Sequence, residues 1–105
     1  MTIDPATHKF YVEGRATDVT TNEFLLLLTL MERAGQVVRS TTLMHRIWGA
    51  AVSNDLLRVT VYRLRRKIEP NASKPRYIQT VSGIGFIIPR TGFAEISHPD
   101  SLASR

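Results

Sequence analysis

A cluster of basic side chains is the part of this sequence with the most evident binding chemistry. Five basic residues lie within ten positions of one another: Arg58, Arg63, Arg65, Arg66 and Lys67. The whole chain of 105 residues carries a net charge of +5, from 14 Lys and Arg against 9 Asp and Glu. We therefore expect a polyanionic partner, and we expect it to meet the chain at this cluster.

An amphipathic helix is predicted to position the cluster. At 100° per residue, a helix over residues 54–69 brings its apolar side chains within about 60° of one another, as a seam that packs on a core. That seam consists of Leu57, Val61, Leu64 and Ile68. The opposite side consists of Asp55, Val59, Tyr62, Arg63 and Arg66, with Arg58 and Arg65 flanking one edge and Lys67 the other.

The polar side of this helix fits the major groove of B-DNA. The helix is roughly 22 Å long, and the groove, about 12 Å wide, admits a helix. Arginine holds guanine O6 and N7 with two donors, and Val59 is a suitable neighbour for a thymine methyl. The alternative is a solvated face without a partner. It is disfavoured because the face has almost no acidic residues, and because Val59 and Tyr62 lie among the charges.

Strands and a helix are predicted before the basic segment. Residues 1–19 have the turn residues and apolar runs of a small antiparallel meander. Thr20 and Glu23 form the pattern of a capping box, and apolar residues follow at helical spacing up to Gly35, where we expect the helix to end. The four leucines at 25–28 are interpreted as the core face of that helix, and a dimerisation patch is the alternative.

A second, shorter helix is predicted after the extended link Val37-Val38. Ser40 is its candidate N-cap, and Gly49 is expected to end it. Ser53 or Asn54 then caps the basic helix, which Pro70 stops.

A hairpin is predicted after a polar loop over residues 70–76. Residues 77–81 and 86–88 form its strands, and the turn is Ser82-Gly83-Ile84-Gly85. We expect a domain over residues 1–90 and a loose tail over residues 91–105. The fold class is therefore α+β: an N-terminal antiparallel sheet, three helices and a β-hairpin wing over residues 77–88. This order is typical of a winged helix-turn-helix that docks on DNA.

Short motifs throughout the chain resemble the effector domain of OmpR/PhoB-type response regulators. The resemblance runs from Ile3 to Pro89, about four-fifths of the chain. Its first motifs are Ile3-Asp4-Pro5 with His8, Val19-Thr20 with Glu23-Phe24, and Gly35 with Val37-Val38. It continues with Leu43 before Ile47-Trp48-Gly49, Leu64-Arg65-Arg66-Lys67-Ile68-Glu69, Pro75-Arg76-Tyr77-Ile78, and Thr80-Val81 with Gly83, Gly85 and Phe86.

The resemblance implies transcription control by double-stranded DNA binding at promoters, with the third helix in the major groove and the wing at the adjacent minor groove. Arg63 and Val59 match base-contacting positions, and Trp48 and Thr80 match phosphate-contacting positions. Positions near bases or phosphates are matched by Tyr62, Arg65 and Arg66. For Trp48, packing between helices is an equal interpretation, and both roles are compatible because an indole can bury its ring and direct its N–H outward.

The resemblance also implies partners outside this chain. The loop Ala50, Ala51, Val52, Ser53 and Asn54 matches a segment that some members use to touch RNA polymerase. Members normally have an N-terminal receiver domain with a phosphoaccepting aspartate. This chain starts inside the effector's first sheet, so we expect a fragment that cannot itself receive a phosphoryl group. Two such domains, as a homodimer, are expected to bind adjacent repeats.

Three positions depart from the family pattern. Arg58 stands where members often have an acidic residue, and Asp55 where they often have a basic one. Either a charge swap within or between subunits or a changed DNA footprint would account for this pair, and we count Arg58 among the DNA-binding residues. Ser82, also counted there, replaces the arginine that several members have in the wing, so minor-groove reading is expected to be weaker.

Other function classes are disfavoured by composition and spacing. The chain has no cysteine, and His8, His45 and His98 share no metal-ligand spacing, so we expect neither a metal nor a cofactor. The G-x-G at 83–85 precedes a strand and not a helix, which argues against a nucleotide loop. No nucleophile and base are paired, so an enzyme is not expected.

The remaining alternatives are binding modules. One is a winged-helix protein-interaction module, and the other is RNA binding, disfavoured because side chains cannot read the narrow A-form major groove. The longest apolar run, 24–28, is far below the roughly 20 residues of a membrane span, and no secretory signal is visible. We therefore expect a cytoplasmic protein.

Overall fold

The N-terminal residues form the expected antiparallel meander. The computed structural model describes residues 1–89 and 94–97. Strand β1 (Thr2–Asp4) pairs antiparallel with β2 (Lys9–Val12), which pairs antiparallel with β3 (Arg15–Ala16). Alternation along β2 buries Phe10 and Val12 against the helices, so the sheet covers one side of the core.

A fourth strand completes this sheet from the other end of the chain. Residues Glu95–Ile96 (β7) pair in parallel with β1, so the strand order is β3-β2-β1-β7. The sequence analysis expected a loose tail here. The structure differs because the amides of Glu95 and Ser97 donate to the carbonyls of Met1 and Ile3, both at 2.8 Å, and Ile96 packs against the core. The rest of the expected tail, residues 91–93 and 98–105, lies outside the described residues.

The first helix, α1 (Thr21–Glu32), begins at the expected capping box. The Glu23 amide donates to Thr20 Oγ1 at 3.2 Å, and the Thr20 amide donates to Glu23 Oε1 at 2.9 Å. The helix ends at Glu32, three residues before Gly35, where the end was expected. Gly35 instead takes a left-handed φ of +85° in the following turn, and its amide donates to Ile88 O at 2.7 Å.

The second helix, α2 (Ser40–Trp48), follows strand β4 (Val38–Arg39) directly. Ser40 is not its N-cap, as the sequence analysis had predicted. Arg39 occupies that position without a side-chain cap, and Ser40 is the first helical residue, with its amide donating to Ile84 O at 3.1 Å. Gly49 ends α2 as expected, with a left-handed φ of +76°.

The third helix, α3 (Asn54–Ile68), is capped by Ser53, whose Oγ accepts from the Leu56 amide at 3.3 Å. Its predicted seam is buried: Leu57, Val61, Leu64 and Ile68 are 0–4% exposed. The seam packs in one core with residues of α1, α2 and both sheets. None of the helices in the described residues has the length and apolar character of a membrane span.

The predicted hairpin forms the second sheet together with β4. Strands β5 (Gln79–Val81) and β6 (Gly85–Ile87) pair antiparallel, and β4 pairs with the other edge of β6. The sheet therefore has three strands, where the sequence analysis predicted two and a link. Gly85 allows this pairing, since a Cβ there would lie 2.0 Å from the carbonyl oxygen of Val38. The element order is that of the predicted winged helix-turn-helix.

We expect Leu64→Ala to lower the free energy of unfolding by roughly 2–5 kcal/mol, because it empties a fully buried site on α3. Val59→Ala is the matched control, since Val59 is 42% exposed on the same helix. Its effect should stay within about 0.5 kcal/mol. Thermal melting measures both, and a Leu64→Ala melt equal to wild type would contradict this helical register.

Candidate nucleic-acid interface

The outward face of α3 presents three arginines to solvent. Arg58, Arg63 and Arg66 are exposed, while the opposite stripe of the same helix is buried. Among the described residues, neither Arg58 nor Arg63 has a hydrogen-bond or ion-pair partner. Their guanidinium groups are thus available to an anionic or base ligand, as the sequence analysis predicted for this helix.

Arg63 lies at a groove between α3 and the N-terminus of α1. The groove is lined on the α3 side by Leu56, Val59, Thr60 and Arg63, together with Arg66 and Lys67. Leu56 and Val59 are 41% and 42% exposed, one helical turn apart. The sequence analysis did not name Leu56 as a candidate contact residue. An apolar residue outside the buried seam is the signal that indicates such a role. The groove combines apolar contact with a two-pronged donor, which is the chemistry of base-edge reading.

Arg66 and Tyr62 form a pair on the outer face of α3. Arg66 Nη1 donates to the Tyr62 hydroxyl at 3.1 Å, and the guanidinium carbon lies 5.8 Å from the centre of the tyrosine ring. Both side chains are exposed, and Tyr62 is 59% exposed. The contact holds two long side chains in one orientation at the surface, close to the C-terminal end of the helix.

Arg65 does not share this exposed position. It is half-buried and turned towards the wing, where Nε and Nη2 donate to Ile78 O at 3.2 and 2.9 Å. Nη2 also donates to Thr80 Oγ1 at 2.8 Å, and the Phe86 ring centre lies 5.9 Å from the guanidinium carbon. Burial lowers the pKa of Arg65 from its ordinary value, while the nearby Glu69 carboxylate acts in the opposite direction. The group stays charged at neutral pH, as arginine does.

Lys67, at the other flank, is also committed within the domain. Its ammonium lies 2.6 Å from Glu23 Oε1, the oxygen that also accepts from the Thr20 amide. Glu23 is only 2% exposed, so its buried charge is compensated by an ammonium whose side chain is itself 36% exposed. The pair joins the start of α1 to the last turn of α3 and sets the spacing of the groove beside Arg63.

Glu69 anchors the beginning of the wing to the end of α3. Its carboxylate accepts from the amides of Arg76, Tyr77 and Ile78 at 2.9–3.1 Å, and the residue is 9% exposed. The loop over residues 70–76 is thereby closed at its base. Arg76 in turn donates to the Tyr77 hydroxyl at 3.1 Å, a hydrogen bond that raises the pKa of Arg76.

The tip of the wing is polar except for one side chain. Thr80 and Ser82 are exposed, as their predicted DNA contacts require, and Gly83 takes a left-handed φ of +74° in the turn. Ile84 is 51% exposed at this tip and was passed over in the sequence analysis. An isoleucine between two turn glycines was the available signal, because such a position gives an apolar side chain little to pack against.

Trp48 and the loop after α2 lie next to the start of α3. Trp48 is half-buried and packs against the core, which fits the packing interpretation of this residue; its phosphate contact stays a prediction. In the loop, Ala50, Ala51, Ser53 and Asn54 are exposed, whereas Val52 packs against the core. Within residues 1–89 and 94–97, no group of three His, Asp or Glu side chains comes together as a metal site. His98 lies outside those ranges.

A buried seam, an arginine-bearing outer face and an adjacent wing define the class as a winged helix-turn-helix DNA-binding domain. The family model for "Transcriptional regulatory protein, C terminal" matches residues 14–88. The chain belongs to this family, the DNA-binding effector domains of OmpR/PhoB-type response regulators. Members of the family are transcription regulators and not enzymes.

Individual relatives agree with this assignment. Regulatory protein VanR of Enterococcus faecium is 36% identical over 93 residues, which cover 86% of this chain and 40% of VanR. Response regulator DrrB of Thermotoga maritima, an OmpR/PhoB homologue, superposes with a TM-score of 0.77 at 32% identity, over 83% of this chain and 40% of DrrB. The chain therefore spans about two-fifths of these full-length relatives.

A third relative was solved with DNA. The DNA-binding domain of RstA from Klebsiella pneumoniae, in complex with the RstA box, superposes with a TM-score of 0.76 at 28% identity. The superposition covers 83% of this chain and 88% of the RstA domain. Most of the DNA-bound RstA domain therefore has an equivalent in this chain.

We expect Glu69→Ala to loosen the wing from α3. The change leaves buried amides at Tyr77 and Ile78 without an acceptor, at a cost of roughly 1–3 kcal/mol per orphaned donor. Amide hydrogen exchange should accelerate at residues 77 and 78 more than at Val61. Glu32→Ala, which breaks only an exposed ion pair with Arg46, is the control and should change little. Unchanged exchange at residues 77 and 78 would contradict the anchoring role.

Proposed function

We propose that the chain binds double-stranded DNA sequence-specifically to regulate transcription, with residues 54–69 in the major groove and the wing, residues 77–88, at the adjacent minor groove. The observation that carries the proposal is the division of α3 into two sides. One side is buried in the core, and the other holds Arg58, Arg63 and Arg66 in solvent. Such a helix is anchored rigidly while its cations meet a ligand.

Base reading is assigned to the groove side of α3. Arg63 would grip a guanine edge, and Val59 with Leu56 would contact thymine methyls. All three line one groove, so a single stretch of base pairs would meet them together. Arg58, on the side of the helix nearer the wing, would contact the flanking backbone.

Phosphate contacts are assigned around this reading face. Trp48 and Thr80 would each hold the backbone, and Tyr62 with Arg66 would contact it near the end of α3. Arg65 is also predicted to contact DNA, and its guanidinium already donates to Ile78 O and Thr80 Oγ1 in the wing. Ser82 would meet the minor groove more weakly than an arginine, since it carries no charge.

Further partners follow from the family and stay proposals. In the full-length protein, in the cytoplasm, we propose a receiver domain that controls pairing of two effector domains as a homodimer on promoter repeats. The exposed residues of the loop over 50–54 are a candidate contact for RNA polymerase. Their support is exposure at the boundary between α2 and α3, next to the proposed DNA face.

We expect wild-type protein to retard random duplex DNA in a mobility-shift assay. If about five phosphates are contacted, log K should fall with log salt at a slope near −4.5, because counterions are released. A slope shallower than about −1 would contradict this picture. No shift at low salt with on the order of tens of micromolar protein would refute DNA binding and favour the protein-interaction module.

We expect Arg63→Ala to relax sequence preference at one base pair, with a loss of roughly 1–3 kcal/mol in discrimination. Selection of bound sequences from a random duplex pool, run with both proteins, measures this. Thr80→Ala is the comparison, because loss of a phosphate contact should weaken binding to all sequences alike. If Arg63→Ala leaves affinity and preference intact, Arg63 does not read a base.

A further inference from the structure

The contact between Arg65 and Thr80 joins α3, the proposed recognition helix, to the wing. Arg65 belongs to α3 and Thr80 to β5, and the guanidinium reaches Thr80 Oγ1 at 2.8 Å. The same group donates twice to Ile78 O. Three of its five N–H donors are thus used inside the domain, which distinguishes Arg65 from the exposed Arg66 on the next position of the helix.

The Thr80 hydroxyl has a defined role in this contact. Its oxygen accepts from Arg65, so the hydroxyl proton is left to be donated elsewhere. Thr80 is exposed, and among the described residues no group accepts a hydrogen bond from that hydroxyl. A hydroxyl that accepts a charge-assisted hydrogen bond is polarised and becomes a better donor to an anion.

The surroundings of Arg65 hold it in place. Its guanidinium lies against the Phe86 ring, which is 7% exposed, and Thr80 pairs with Phe86 across the hairpin. Direct contact with a phosphate through the same N–H groups would require Arg65 to leave both Ile78 O and Thr80. The contact therefore favours an indirect route from Arg65 to DNA.

We propose that Arg65 is a positioning residue: it fixes the wing against α3 and orients the Thr80 hydroxyl as a donor to a DNA phosphate, without neutralising a phosphate itself. This inference rests on the proposed DNA-binding function. It changes the role of Arg65 from a direct contact to one exerted through Thr80. It also makes the affinity for DNA depend on the angle between helix and wing.

The test is a double-mutant cycle read at several salt concentrations. Wild type, Arg65→Ala, Thr80→Val and the double variant are titrated into a labelled duplex of fixed mixed sequence, with fluorescence anisotropy as the signal. Each single change should weaken binding by roughly tenfold, the loss of one hydrogen bond to a charged group. The double variant should be no weaker than the single ones, because both changes remove the same contact.

The salt dependence separates positioning from direct contact. The slope of log K against log salt should stay at the wild-type value in Arg65→Ala, because no phosphate loses its counter-charge. Arg66→Ala is the matched control, one exposed arginine removed from the same helix, and should make the slope shallower by about 0.9. A slope change of that size in Arg65→Ala, or losses that multiply in the double variant, would overturn the proposal.

Two conservative variants keep the test decisive if Arg65→Ala folds poorly. Arg65→Lys retains the charge but lacks the fork that spans Ile78 O and Thr80, so it should weaken binding as alanine does. Thr80→Ser retains the hydroxyl and should bind like wild type. Recovery of affinity in Arg65→Lys would indicate a direct point-charge contact and overturn the proposal. If the wild-type protein binds no duplex, the proposed DNA-binding function is refuted. If the wild-type protein binds but Arg65→Lys binds equally well, only the positioning role of Arg65 is refuted.

Discussion

The Glu69 carboxylate, with three backbone amides donating to it, couples the end of the recognition helix to the beginning of the wing. Four residues earlier on the same helix, Arg65 grips the wing backbone at Ile78 O. Residues 76–78 are therefore held by an anion and a cation from one side of α3. A surface loop with two prolines leads into these contacts, which add to the pairing of β6 with β4 and to the burial of Ile78 and Ile88 in fixing the hairpin relative to the helix. The proposed DNA face depends on this polar junction, because the proposed contacts of helix and wing with separate grooves require a constant angle between them.

A second polar junction acts on the opposite flank of the helix. Lys67 and the buried Glu23 connect α3 to the capping box of α1, so one carboxylate serves both a helix start and an interhelical ion pair. The buried seam places Arg63 on the exposed side of α3, and contacts on both flanks, from Arg65 to Ile78 O and from Lys67 to Glu23, add to this packing.

Much of the fold was predictable because its signals are local. Three of these signals come from residues a few positions apart in the chain. They are the capping box at Thr20, the left-handed Gly49, and the apolar spacing of Leu57, Val61, Leu64 and Ile68. The failures involve contacts between distant residues. Helix α2 begins one residue earlier than predicted, where the Ser40 amide donates to Ile84 O of the distant wing. Residues 95–96 pair with β1 although their own sequence pattern does not indicate a strand. At the candidate interface, a helical wheel places Arg65 and Lys67 about 80° from the seam, at the border between core and solvent. Only the positions of the wing and of Glu23 determine that both side chains bond within the domain.

The pairing of β7 with β1 also bears on how the N-terminal sheet meets other chains. A long, flat edge strand offers unpaired amide and carbonyl groups on which a foreign strand can add, and aggregation starts at such edges. Among residues 1–89 and 94–97, the two outermost strands of this sheet, β3 and β7, are each two residues long. The longer β1 and β2 are enclosed between them. In this part of the chain, edge strands of two residues give an incoming strand little backbone on which to pair, which disfavours intermolecular β-structure at this sheet.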